Sequence, residues 1–223
     1  ALDKYEVRGI FEKTGRAVFI SHLDLFRTMQ RAMKRSKIPV WYSQGFNPRI
    51  YLNFPLALSL GVESRTEIMD FEIVEPVPYE KLLEDINKVL PEGLHFISMA
   101  APVSKNKEIA FAEYVFDFYC EDRTPNEIAV KFDEMMSLDI IEVEKHSKKK
   151  GMVTIDIKPH IDVVEKSIAE DSFHVTVRLP AGTELNVNSN VFSEAFTKYS
   201  GLDFSKISVK RTKILRVDGT DFA

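Results

Sequence analysis

Residues 19–64 read FISHLDLFRTMQRAMKRSKIPVWYSQGFNPRIYLNFPLALSLGVES, and the side chains best suited to binding are concentrated there. Arg27, Arg31, Lys34 and Arg35 recur at helical spacing, and Trp41, Tyr42, Phe46 and Tyr51 follow within eleven residues, next to Arg49. A row of cations neutralises phosphates, and exposed aromatic faces stack on unpaired bases, so the combination is what single-stranded RNA requires. Two plainer accounts stand beside this one. A charged outer face is the ordinary state of an amphipathic helix, and aromatics under a long loop commonly fill the core. Gly45, Asn47 and Pro48 give the loop its turn geometry, since glycine reaches backbone angles closed to other residues and Asn-Pro sets a turn.

Catalytic and metal chemistry finds little support in the residue pattern. His22 has the most suggestive position, in the first turn of the basic helix beside Ser21 and Asp24. A helix N-terminus disfavours the imidazolium and leaves a neutral ring able to act as a base. The alternative is a local hydrogen bond that fixes the strand-to-helix turn, and no second catalytic group has a predictable position relative to it. The other histidines, His95, His146, His160 and His174, pair neither with each other nor with Cys120 at ligand spacing, so no metal is expected. Cys120 reads as a small core residue. The chain has no GxxxxGK[ST], no GxGxxG between strand and helix and no Gly-x-Ser-x-Gly, and no cofactor is expected.

The charge distribution singles out the same region. Residues 1–50 hold ten Lys/Arg against four Asp/Glu, whereas residues 51–103 hold three against nine, within a chain of formal net charge −4. A basic lobe is thus hidden in an acidic protein. The 223 residues can bury one large core or two smaller ones. One cysteine rules out an internal disulfide framework and points to a reducing compartment. With no apolar run of membrane-spanning length and no signal-peptide pattern, a cytoplasmic protein without membrane association is expected.

The elements that must position these residues follow from periodicity. Tyr5, Val7, Gly9 and Phe11 alternate with charged residues as a half-buried strand, and residues 17–20 extend it or form a short partner. Ser21 with Asp24 caps a helix whose inward face is Leu25, Phe26, Met29, Ala32 and Met33, ended before Pro39. Strands are expected at 40–42, 50–54, 69–73 and 94–99, with a second helix opened by Pro76-Val77-Pro78 and carrying Leu82, Leu83, Ile86, Val89 and Leu90. Residues 101–107 read as a linker. Beyond it the order recurs. A strand runs through Tyr114, Phe116 and Phe118, then a helix starts at a Thr124-Pro125-Asn126-Glu127 capping box. A strand at 140–145, a turn at Lys148-Lys149-Lys150, a long strand from Val153, a hairpin at Glu170-Asp171, a helix capped near Asn188 and a last strand at 207–217 complete the chain. That last strand bears a second basic cluster, Lys206, Lys210, Arg211, Lys213 and Arg216, which a protected sheet edge explains as well as RNA does. The expected fold is α+β, two tandem ferredoxin-like βαββαβ domains with antiparallel sheets, at 1–102 and, with one extra hairpin, at 108–223.

Three motifs in order, SHLDLFRTMQRAMKRS, YSQGFNPR, and LGVES followed by EIMDFEI, resemble the radical-SAM-linked family of uncharacterised bacterial proteins. Members of that family stand alone or extend the C-terminus of a radical SAM protein. The resemblance covers residues 4 to about 110. It implies a partner or substrate-recruiting role beside a radical SAM enzyme that modifies RNA or translation components. The Cys-x-x-x-Cys-x-x-Cys that holds the iron–sulfur cluster is absent here. Where members of that family carry a histidine after the Asn-Pro of the loop, this chain has Arg49. Tandem ferredoxin-like domains are also similar to CRISPR repeat-processing endoribonucleases, an analogy of fold only. The sequence therefore favours an RNA-binding or adaptor protein contacting RNA through Arg27, Arg31, Lys34, Arg35, Trp41, Phe46, Arg49 and Tyr51. An RNA-processing enzyme with a site near His22 and Arg49, or a purely protein–protein adaptor, are the alternatives.

Overall fold

Val7, Gly9, Phe11 and Lys13 alternate with Glu6, Ile10 and Glu12 along β1 (Tyr5–Lys13), and the first set is buried. In the computed structural model, which describes residues 3–147 and 151–223, the chain divides into two compact units. The first runs to Glu108 and includes Phe222–Ala223, and the second is Ile109–Asp221. The fold is mixed α+β, with four α-helices and strand pairs that are all antiparallel among those described.

In the first unit β1 lies between β3 (Glu63–Ile73) and β4 (Leu94–Ala100), and the short β2 (Leu52–Asn53) pairs with β3. The α1 helix (His22–Ser36) starts where the Ser21 hydroxyl accepts from the Asp24 N–H. It ends at Lys37, which takes a left-handed conformation at φ 60° just ahead of Pro39. Leu25, Met29, Ala32 and Met33 of α1, with Leu82 and Ile86 of α2 (Tyr79–Asn87), pack on Val7, Phe11, Met69, Phe71 and Phe96.

Several expected elements differ from those observed. Residues 17–20 are not strand: a 3-10 turn at Gly15–Phe19 takes their place, with Ala17 and Val18 buried. Residues 40–42 make only isolated bridges, Val40 to Ile73 and Tyr42 to Ile50, and within 50–54 only Leu52 and Asn53 form a strand. The linker-like stretch 101–107 is instead tied to the first unit. Arg8, buried and bidentate to Asp70 at 2.7 and 2.9 Å, also donates to the Ser104 carbonyl at 2.9 Å and to Asn106 at 3.2 Å. A buried guanidinium must fill its donors, and it recruits this segment to do so.

The second unit contains β5 (Phe111–Tyr119), α3 (Pro125–Met136), β6 (Glu142–Ser147), β7 (Gly151–Asp156), β8 (Asp162–Ile168), β9 (Phe173–Pro180), α4 (Ser189–Ser200) and β10 (Lys206–Leu215). Its strands lie in the order β10–β5–β9–β8, while β6 and β7 form a separate two-stranded sheet. The long strand expected from Val153 is broken by a 3-10 turn at Lys158–His160, where proline removes a ladder donor. The Lys148-Lys149-Lys150 turn lies outside the described residues. The α3 capping box is complete, and Asn188 caps α4. Phe116, Phe118, Phe132, Phe173, Phe192 and Phe196 form an aromatic core, with Phe118 and Phe196 edge to face at 4.8 Å. Cys120 is buried, and burial pushes its thiol up. Of the second basic cluster, Arg211 is buried and donates to the Tyr114 hydroxyl, so it is not a surface cation.

One glycine governs how β4 is entered. Gly93 has φ +88°, its carbonyl accepts from the Thr14 N–H at 2.9 Å, and a Cβ there would lie 2.4 Å from the Thr14 carbonyl oxygen. Both the backbone angle and the close approach exclude larger residues. Gly93→Ala is expected to cost about 2–3 kcal/mol through strain and overpacking. Urea unfolding measures this, and an unchanged midpoint would refute it.

Candidate functional site

At 3.6 residues per turn, Arg27, Arg31, Lys34 and Arg35 fall opposite the buried stripe of α1, and all four are exposed. The face they form is bounded on both sides. On one, Gln30 Nε2 donates to the Ile50 carbonyl at 3.3 Å, pinning the base of the 43–49 loop against mid-helix. On the other, Arg35 Nη2 donates to the Val89 carbonyl at 2.7 Å. Between Arg35 and Pro91 lies a groove of about 500 Å3, lined also by Thr28, Arg31 and Lys34. Arg27 reaches Asp24 at 3.4 Å, an exposed pair of the weak kind. Arg31 and Lys34 have no hydrogen-bond or ion-pair partner among the described residues. Cations near a helix C-terminus complement its dipole, but the dipole does not account for a groove beside them.

The loop after α1 is a closed projection. The Ser43 N–H donates to the Arg49 carbonyl at 2.8 Å, and the Arg49 N–H donates back to the Ser43 hydroxyl at 3.0 Å. Gly45 turns the chain at φ +132° with open space around it, and Gln44, Asn47, Pro48 and Arg49 are exposed. Phe46 is 106% exposed, so it fills no core. Tyr51 is partly exposed and meets Trp41 edge to face at 6.4 Å. Trp41 itself is half-buried, with the Lys4 ammonium 3.3 Å from its ring centre.

Residues 50–54 then run along α1 toward its N-terminus, where the Phe54 ring meets His22 at 5.3 Å and Phe26 at 6.0 Å. Eight residues of helix, about 12 Å at 1.5 Å each, thus separate His22 from Gln30, the residue that holds the base of the loop carrying Arg49. The two are not brought together.

His22 instead borders a buried ionic cluster that sequence reasoning missed. A bulge sets Phe11 opposite Glu67 and Lys13 opposite Ser64, three residues of β3 matching two of β1. It turns Ser64 and Glu67 to the same side, where the Ser64 hydroxyl donates to Glu67 at 2.7 Å. Lys13 and Glu67 are only 1% and 3% exposed. The Lys13 ammonium donates to the Ile20 carbonyl at 2.7 Å. Burial pulls the Lys13 ammonium below its ordinary value, and the Glu67 carboxylate works against that. His22 is likewise lowered, first by burial of part of the ring, then by the Lys13 charge. The Gly61 N–H donates to the Val18 carbonyl at 2.8 Å, joining the Leu60–Gly61 turn to the segment before α1. The signal for this cluster was present in the strand alternation: Lys13 follows Phe11 in register, and Glu67 precedes Met69, Phe71 and Ile73.

Among the described residues no group of three or more His, Cys, Asp or Glu could hold a metal ion, and no helix is long and apolar enough to cross a membrane. A family model for uncharacterized proteins conserved in bacteria, DUF2344, matches residues 6–189. The chain belongs to that family. The match takes in β1, the α1 face, the loop and the Lys13 cluster, and continues to the start of α4. No curated protein matches the sequence. Among solved structures, a chain of the crystal structure of a Cbf5–Nop10–Gar1 complex is similar at 12% identity and a TM-score of 0.47. The match covers 94% of this chain and only 49% of that one.

The imidazole of His22 is expected to titrate below the ordinary histidine value of 6.5, and Lys13→Met to move it upward by removing a nearby positive charge. Because the folded state holds fewer protons than the unfolded chain in that window, the His22 contribution to stability is present above pH 6.5 and lost as pH falls through the folded value. A histidine-resolved NMR titration checks both, and a His22 curve at or above the ordinary value would contradict the geometry.

Proposed function

We propose that this protein binds single-stranded RNA along the α1 face and the 43–49 loop, as a non-catalytic cytoplasmic adaptor beside a radical SAM enzyme that modifies RNA or a translation component. The observation that carries the RNA part is the groove beside Arg31 and Lys34, two cations without partners among the described residues, on a helix that also holds the base of a loop with a fully exposed phenylalanine. Phosphates would track Arg27, Arg31, Lys34 and Arg35, and a base would stack on Phe46 with Tyr51 and Arg49 nearby. With one Trp41 face taken by Lys4, the stacking role passes mainly to Phe46.

The radical SAM part rests on the resemblance of the three sequence motifs. The order of elements in each unit supports a ferredoxin-like reading: strand, helix, two strands, helix, strand, with β6–β7 as an added hairpin in the second. The distance between His22 and the loop favours binding over a reaction shared by His22 and Arg49.

Changing Arg31, Lys34 and Arg35 together to Glu is expected to weaken binding of a fluorescent single-stranded RNA at least tenfold at low salt. It should also flatten the log–log salt dependence by about 2, since each phosphate contact on a single strand contributes about 0.7. Phe46→Ala should weaken binding with little change in that slope. Fluorescence anisotropy between roughly 50 and 200 mM salt measures both effects. Wild-type protein that fails to bind RNA at low salt would end the RNA reading and leave a protein–protein adaptor.

A further inference from the structure

The side chain of Lys4 occupies a small box of its own. Its ammonium lies 3.3 Å from the centre of the Trp41 ring and 2.9 Å from Glu72 Oε2. That oxygen is cut off from solvent and accepts no hydrogen bond of good geometry among the described residues, so the Lys4 charge is what compensates it. The box is fixed by backbone as well: the Trp41 N–H donates to the Glu72 carbonyl at 2.8 Å, and Val40 bridges to Ile73. An indole face opposed to a partly buried carboxylate is what an alkylammonium group requires, combining cation–π attraction with a charge partner.

Lys4 is poorly anchored there. It precedes Tyr5, the first residue paired in β1, and its side chain is 39% exposed. Beside Glu72 opens a cavity of about 390 Å3, lined by Glu6, Tyr51, Asn53 and Asp70 among others. Its size falls in the range of small-molecule sites. Asp70 is neutralised by Arg8, and of the remaining charges on the lining Glu6 and Glu72 outnumber Lys105, so the balance favours a cation.

We propose that Trp41 and Glu72 form a binding site for a primary alkylammonium group, with Lys4 as the resident occupant and the adjoining cavity as room for the rest of the ligand. The ligand is a free polyamine or a lysine side chain of a partner protein, which share this chemistry. The site shares no lining residue with the α1 groove, and its ligand is chosen by Trp41 and Glu72 whether or not RNA stacks on the neighbouring Tyr51. When an ammonium enters, Lys4 swings into solvent, its departure breaking no strand pairing.

Trp41 is the single tryptophan of the chain, so its emission reports on the box directly. Lys4→Met, with Lys4→Gln as a second variant, removes the resident charge. Titration of either with putrescine and with N-acetyl-lysine methylamide is expected to give a saturable change in emission with at least one ligand. The affinity should be roughly tenfold weaker in the wild type, where Lys4 competes, and in Lys4→Met/Glu72→Gln, where the carboxylate is gone; tenfold is the scale of one such contact. Response to putrescine alone identifies a polyamine, and response to the lysine analogue identifies a partner side chain. No saturable change in either single variant overturns the proposal. So does equal affinity in the wild type, or in the variant lacking the Glu72 charge.

Discussion

A lysine ammonium almost sealed from water stands at the end of β1, and much of the first unit is arranged to tolerate it. Removing such a group from water costs far more than one hydrogen bond returns, so Lys13 needs both an acceptor and an opposite charge. The Ile20 carbonyl is the acceptor and Glu67 the charge. Satisfying the first fixes the path from β1 through the 3-10 turn to Ser21, and so fixes where α1 begins. Satisfying the second requires the bulge in β3 that turns Ser64 and Glu67 to the same side. A buried charge left without its compensating neighbours is costly, so Lys13, the Ile20 carbonyl and Glu67 act together. The cationic face of α1 points outward because the opposite face, Leu25, Met29, Ala32 and Met33, packs on the core.

The cations of the first unit form a graded series that separates structure from function. Arg8 is buried, bidentate to Asp70 and bonded to two groups of the 104–106 segment, with the Phe222 ring 4.6 Å away. It has nothing left to offer a ligand. Lys4 has a charge partner and an aromatic face but remains partly in water. Arg31 and Lys34 have no partner among the described residues and are exposed. Free energy already committed to internal contacts cannot also bind a ligand, which is why the last two carry the functional argument.

The aromatic residues divide in the same way. The phenylalanines of the second unit are consumed in one another, edge to face or stacked. Phe54 joins α1 to the 50–54 strand segment by touching His22, Phe26 and Phe11. Phe46 touches nothing of the kind and is held outward by a loop closed between Ser43 and Arg49.

Short-range physics made a good part of this legible from the sequence. The Ser21 and Thr124 caps, the apolar stripe of α1, the alternation of β1, β5 and β9 and the glycine stop after α4 are local, because each depends on residues a few positions apart. The basic face of α1 was equally readable, as spacing alone decides it. Residues 17–20 and 40–42 were misread because a short apolar run is compatible with strand, turn or bridge until its partner is known. Whether Phe46 faces water or core, that 101–107 is bound by Arg8, that Lys13 finds Glu67, and that Lys4 covers Trp41 depend on residues 37 or more positions apart in all but the loop. The sequence by itself determined which side chains could bind. Only the tertiary structure decided which of them are spent on the fold and which are left for a ligand, because burial and pairing are properties of distant neighbours.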